Sequence, residues 1–93
     1  MKGTEKQVAW AKDIREQFNQ NTLGADNLGG TEEIRAKNLA DMKEMAPKSA
    51  EMFLRIMSVD DAKWWIENRD YLKNFTPRKL LKMEARGQFS MPA

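Results

Sequence analysis

Four cations recur at helical spacing near the end of this 93-residue chain: Arg78, Lys82 and Arg86 lie four apart, and Lys79 flanks them. On a helix that spacing gathers like charge into one ridge, able to follow a phosphate backbone or to meet an acidic protein surface. A merely solvated helix face has the same pattern. The charge is local. Residues 1–70 carry 11 Lys/Arg against 13 Asp/Glu, whereas residues 71–93 carry Lys73 and these four cations against Glu84 alone, within a chain of net charge +2. Arg78, Lys79, Lys82 and Arg86 are therefore the candidate nucleic-acid-binding residues.

A second group is Trp64-Trp65 with Arg69. Consecutive helical side chains diverge by about 100°, so two adjacent indoles cannot share the centre of one narrow apolar stripe. Either one is core and the other packs at its margin, or one stands exposed as an anchor for a partner. On the second alternative Trp64, Trp65 and Arg69 form a protein-binding site. Arg69 lies four residues after Trp65 and can cover its indole, a contact worth about 0.5–1 kcal/mol.

Residue types also exclude chemistry. The chain has neither cysteine nor histidine, which removes disulfides, thiolate nucleophiles, the commonest metal ligands and the commonest general base. The acid pairs Glu32/Glu33 and Asp60/Asp61 stand at helix starts, where negative charge is favoured without any catalytic role. Gly29-Gly30 before Thr31 suggests an anion-binding helix start, but the lysine of a phosphate loop is missing and two glutamates follow. The seven methionines read as core filler, or less simply as an adaptable groove. The chain is expected not to be an enzyme, with no catalytic, cofactor-binding or metal-ligating residue assigned.

The elements that position these residues are helices. Thr4-Glu5-Lys6-Gln7 fits a capping box, followed by Val8, Trp10, Ala11, Ile14 and Phe18 as an apolar stripe. From Asn19 to Gly30 the pattern dissolves into amides and glycines, which predicts a flexible loop, shortened if the helix runs on a turn. Thr31 caps a second helix running to about Met45, with Ile34, Leu39, Met42 and Met45 as a looser face. Pro47 opens a third, with Ala50, Phe53, Leu54 and Met57 as its stripe. Ser58-Val59-Asp60-Asp61 reads as a stop and a new cap before the tryptophan pair. Asp70 to Phe75 is ambiguous between helix end and turn. Thr76-Pro77 starts a last helix that turns Leu80, Leu81 and Met83 inward and is closed by Gly87, leaving residues 87–93 as a tail. Nothing alternates with period two. The expected fold is all-α, one domain over residues 1–93, a compact bundle of four to five short helices.

With 41% hydrophobic and 32% charged residues, the chain is too apolar for disorder and too charged for a membrane protein. No apolar run approaches the roughly 20 residues of a membrane span, and no apolar signal segment is present. A cytoplasmic location is expected.

Glu5-Lys6-Gln7, Trp10-Ala11 and Ile14-Arg15, followed by Trp64-Trp65-Ile66-Glu67-Asn68-Arg69, resemble a small helical domain of uncharacterised phage, prophage and mobile-element proteins. The resemblance covers the two ends of residues 3–70 and leaves the middle and the basic C-terminal segment unmatched. It implies a bacterial or phage-infected cell rather than an activity. The expectation is a non-enzymatic protein-binding module of mobile-element origin that modulates or inhibits a host factor. The alternative is a non-specific nucleic-acid binder using the basic last helix. Self-association stands open beside both.

Overall fold

Thr4 closes the start of α1 (Glu5–Leu23) with the capping box that its sequence predicts. Its Oγ1 accepts from the Gln7 amide at 3.2 Å, and Gln7 Oε1 accepts from the Thr4 amide at 3.0 Å. A computed structural model describes residues 1–24 and 31–92. Within them α1 runs through Asn19 to Leu23, so the predicted loop begins later than Asn19. The extra turn has local support: Gln20 donates to Glu16 one turn back at 3.1 Å, and Leu23 supplies a buried apolar side chain. The remainder of the predicted loop, with Gly29-Gly30, lies outside the described residues.

Thr31 caps α2 (Glu32–Met45), its hydroxyl oxygen taking the Ile34 amide at 3.2 Å. This helix buries no residue completely: Leu39 and Met42 are half-buried, while Ile34 and Met45 face outward. Polar links to α1 compensate. Arg35 Nη1 donates to Glu16 Oε1 at 2.7 Å, and Asn38 Nδ2 donates to the Leu23 carbonyl at 2.7 Å. Ala46, ahead of Pro47, leaves helical geometry at φ −143° and ψ 68°, as the proline ring requires. Then α3 (Pro47–Met57) sinks Ala50, Met52, Phe53 and Ile56 into the core. Leu54 falls about 100° from Phe53 around the helix and stays 41% exposed, outside the stripe predicted for it.

Asp61 caps α4 (Ala62–Glu67) by accepting from the Lys63 amide at 3.1 Å. The helix stops at Asn68, where φ −103° and ψ 11° leave helical geometry and both the backbone and the side-chain amide donate to the Trp64 carbonyl, at 3.0 and 2.9 Å. A separate short helix, α5 (Arg69–Asn74), covers the ambiguous tract. Thr76-Pro77 then opens α6 (Pro77–Ala85). Gly87 ends it at φ +73°, with Gln88 donating to the Met83 carbonyl at 2.8 Å and Gly87 to Glu84 at 3.0 Å. That is a Schellman closure, which needs the left-handed residue glycine supplies. Six helices result among the described residues, one more than the upper expectation, because the 62–74 stretch divides at Asn68. They fill 35 × 31 × 19 Å, about two helix diameters thick.

The core is an aromatic chain. Phe53 stacks on Phe18 at 5.5 Å, Phe18 meets Trp65 edge-on at 6.3 Å, and Trp65 meets Trp64 at 5.3 Å. Trp64 continues to Phe89 at 5.9 Å. The predicted tail is thus docked: Phe89 is buried, and Trp64 Nε1 donates to the Ser90 carbonyl at 3.0 Å.

Two outcomes follow. Replacing the fully buried Trp65 by alanine is expected to cost about 3–5 kcal/mol in chemical denaturation. Trp10→Ala, at a side chain 48% exposed, should cost under about 1 kcal/mol. Equal losses would contradict this core. The second concerns α2. Hydrogen bonds from Arg35 and then Gln20 hold the Glu16 carboxyl below its ordinary value of 4.5. Since the folded value is the lower one, the stabilisation is complete above that ordinary value and is lost as the pH falls below it. Exposure keeps it small. Glu16→Gln should lower amide-exchange protection in α2 at about pH 6–7, with the difference from the parent shrinking as the pH falls below the ordinary carboxyl value.

Candidate functional site

Position around α6 decides what its cations face. Pro77, Leu80 and Met83 are buried and Leu81 half-buried, which fixes the inner side. At about 100° per residue, Arg78, Lys82, Arg86 and Lys79 occupy an arc of roughly 100° on the opposite side. All four are exposed, with Ala85 the only uncharged residue among them. Among the described residues none of the four forms an ion pair. Glu84, the one acid in this region, turns sideways into α3. Arg55 grips it in a two-pronged bridge, Nη1 to Oε1 at 3.0 Å and Nη2 to Oε2 at 2.8 Å. That hydrogen bonding raises the Arg55 pKa above its ordinary value. The bridge locks α6 on α3 and leaves the outer face uniformly positive. From Arg78 to Arg86 it spans about 12 Å of helix, the axial rise of three or four nucleotides in a duplex.

The tryptophan pair lies elsewhere. Trp65 is fully buried and Trp64 is 8% exposed, so neither indole is presented as a surface anchor. The 100° between them is absorbed because α4 is covered on two sides, by α1 through Phe18 and by the C-terminal segment through Phe89. Trp65 Nε1 donates to the Val59 carbonyl at 2.8 Å, so both indole N–H groups are satisfied inside. Arg69 does not cover Trp65. Its guanidinium lies over Trp10 at 5.2 Å and donates to the Ile66 carbonyl at 2.6 Å. Trp10 stands about 100° around α1 from the buried Ala11, which places it at the rim of the stripe. It and Arg69 line a depression of about 330 Å³ with Asp13, Asp70 and Lys73, a mixture of signs that suits neither an anion nor a cation.

Tyr71 and Phe75 are the surface residues that sequence reading missed. Four apart, each 37% exposed, they set their rings 6.2 Å apart on the outer end of the aromatic chain, with Tyr71 against Phe89 at 5.8 Å. The signal was the i, i+4 aromatic spacing inside a tract whose helix was in doubt. Phe75, Lys73, Thr76 and Pro77 share a shallow depression at the entry to α6.

The resolved shifts, Glu16 down and Arg55 up, both come from hydrogen-bonded ion pairs between helices, which is a structural use of charge. Among the described residues no group of three carboxylates could hold a metal ion, and no helix is long and apolar enough to cross a membrane. What the arrangement does present at α6 is an exposed face of four cations without an acid among them. Comparison with protein-family models, with curated proteins and with solved structures finds no match.

Proposed function

We propose that the protein is a non-enzymatic binding module that holds nucleic acid by its phosphates, with the outer face of α6 as its working surface. One observation carries this: four cations fill that face with no acid among them, while the only acid of the helix is engaged by Arg55. A face that serves solubility alone gains from alternating signs, because Glu–Lys pairs at i, i+4 stabilise a helix and like charges destabilise it. The arrangement favours sequence-independent binding, since a row of cations at helical spacing suits the repeating phosphates, whose contacts carry no sequence information. Each neutralised phosphate releases condensed counterions, so affinity must fall steeply with salt.

Four contacts give a slope of log affinity on log salt of about −3.6 for duplex DNA, hence roughly a hundredfold loss between 50 and 200 mM salt. Reversing two of the charges, K82E/R86E, should flatten the slope by at least about 2 and leave the helical circular-dichroism signal intact. Salt-independent binding, or a variant with unchanged slope, would remove this reading.

A protein partner is the second reading, favoured by apolar side chains outside the core. Met45 is 85% exposed at the α2–α3 elbow, and Leu54 sits 41% exposed in an open apolar groove with Pro47 and Ala50. On the mobile-element resemblance such a partner would be a host factor. Immobilised protein should then retain a bacterial protein from lysate at physiological salt, and Leu54→Asp should release it while leaving nucleic-acid binding unchanged. No retained protein would discard the idea.

A further inference from the structure

We infer that the nucleic acid held on α6 is single-stranded and that Tyr71 and Phe75 take its bases; this rests on the phosphate-binding reading of α6. The two residues stand one helical turn apart, so their side chains share one side of α5 and its C-cap. Their rings are tilted by 33° and separated by 6.2 Å. Tyr71 is braced from behind by Phe89 at 5.8 Å, and Phe89 in turn rests on Trp64 at 5.9 Å. Braced rings lose little freedom when a base settles on them, which makes the platform pre-organised.

Placement joins the rings to the charges. Phe75 lies with Lys73, Thr76 and Pro77 around a depression of about 330 Å³ that α1 and α2 also line, and Arg78 and Lys79, exposed, follow Pro77 in the first turn of α6. Along the chain Phe75 precedes Arg78 and Lys79 by only three and four residues, so the aromatic pair and the first of the cations belong to consecutive elements. A duplex keeps its base faces stacked inside and offers only edges and backbone, so exposed rings contribute nothing to binding it. A single strand has free base faces, and every base has one, which is why stacking on aromatic side chains tolerates any sequence. A protein interface fits less well, since the lysine that shares the depression with Phe75, Lys73, is of a type depleted at such interfaces.

The test is fluorescence anisotropy with the full chain at low salt, using end-labelled mixed-sequence DNA and RNA strands of about 20 nucleotides, longer than one site, and the matching duplex. The parent should bind either single strand at least about five-fold more tightly than the duplex. Y71L/F75L, which keeps apolar bulk but removes the flat faces, should lose about five-fold or more on single strands and nothing on the duplex. Should the double variant melt early because Phe89 loses its cover, Phe75→Leu alone carries the same comparison, since that ring meets only Tyr71 among the aromatic residues. Unchanged single-strand affinity in the variants would reduce the pair to a cover for Phe89. A parent that binds duplex as tightly as single strand overturns this inference and leaves the α6 reading standing, whereas binding to neither overturns both.

Discussion

The seat of Trp65 is the constraint on which the other elements depend. Its indole is entirely buried, edge-on to Trp64 and to Phe18, with its N–H spent on the Val59 carbonyl. The helix that carries it has six residues, as has the next. Segments that short do not hold together alone, because a helix nucleus costs more than one turn returns. They persist because large side chains anchor them to neighbours. Trp65 fastens α4 to α1, Leu72 does the same for α5, and Trp64 reaches the C-terminal segment through Phe89 and the Ser90 carbonyl. Seven of the chain's eight aromatic residues join in one run of contacts from Phe53 to Phe75. Aromatic pairs add about 0.5–1.5 kcal/mol each beyond the area they bury. For a chain this small, whose core is limited by its size, that run is a large part of what makes the fold unique.

Helix starts were legible in the sequence because caps are local. Thr4 with Gln7, Thr31, Asp61 and Thr76-Pro77 each satisfy amides within three residues, so no distant contact is needed to place them. Gly87 is legible for the same reason. What the sequence conceals is which surface covers which face. A periodic stripe implies one partner surface, and adjacent indoles then seem to compete for it. The molecule resolves the competition with two surfaces, and the second comes from residues after Gly87, where a stop signal suggests that structure has ended. Phe89 and Met91 were the available clue, apolar residues in a segment too short to have a period. Arg69 illustrates the same limit, since spacing offers Trp65 while the fold supplies Trp10 from another helix.

The candidate site divides along the same line. Periodicity alone places Arg78, Lys79, Lys82 and Arg86 on one face, since Leu80 and Met83 orient the helix. Periodicity cannot reveal that Glu84 is withdrawn from that face by Arg55, which lies 29 residues earlier in the chain. Formal counting offsets Glu84 against the ridge, whereas the bridge pairs that carboxylate with Arg55 and leaves the four cations of the ridge without an acid among them. Tyr71 and Phe75 depended on a helix that sequence could not place.

Two helices of this protein treat charge in opposite ways, and the contrast bears on function. On α2, which buries no residue, ions hold the helix down: Glu32 and Glu33 favour its N-terminus, Lys43 its C-terminus, and Arg35 reaches Glu16. On α6 the apolar side does the holding, through Pro77, Leu80 and Met83 with the Glu84 bridge behind them. The outer face is therefore not needed for stability, and its composition is free to serve something else. It carries like charges at i, i+4 twice, Arg78 with Lys82 and Lys82 with Arg86, each pair costing a few tenths of a kcal/mol in an isolated helix. Opposite signs at the same positions would have stabilised the helix instead. The charge on this face is therefore explained neither by the packing of α6, which its inner side supplies, nor by helix stability, which like charges at that spacing lower.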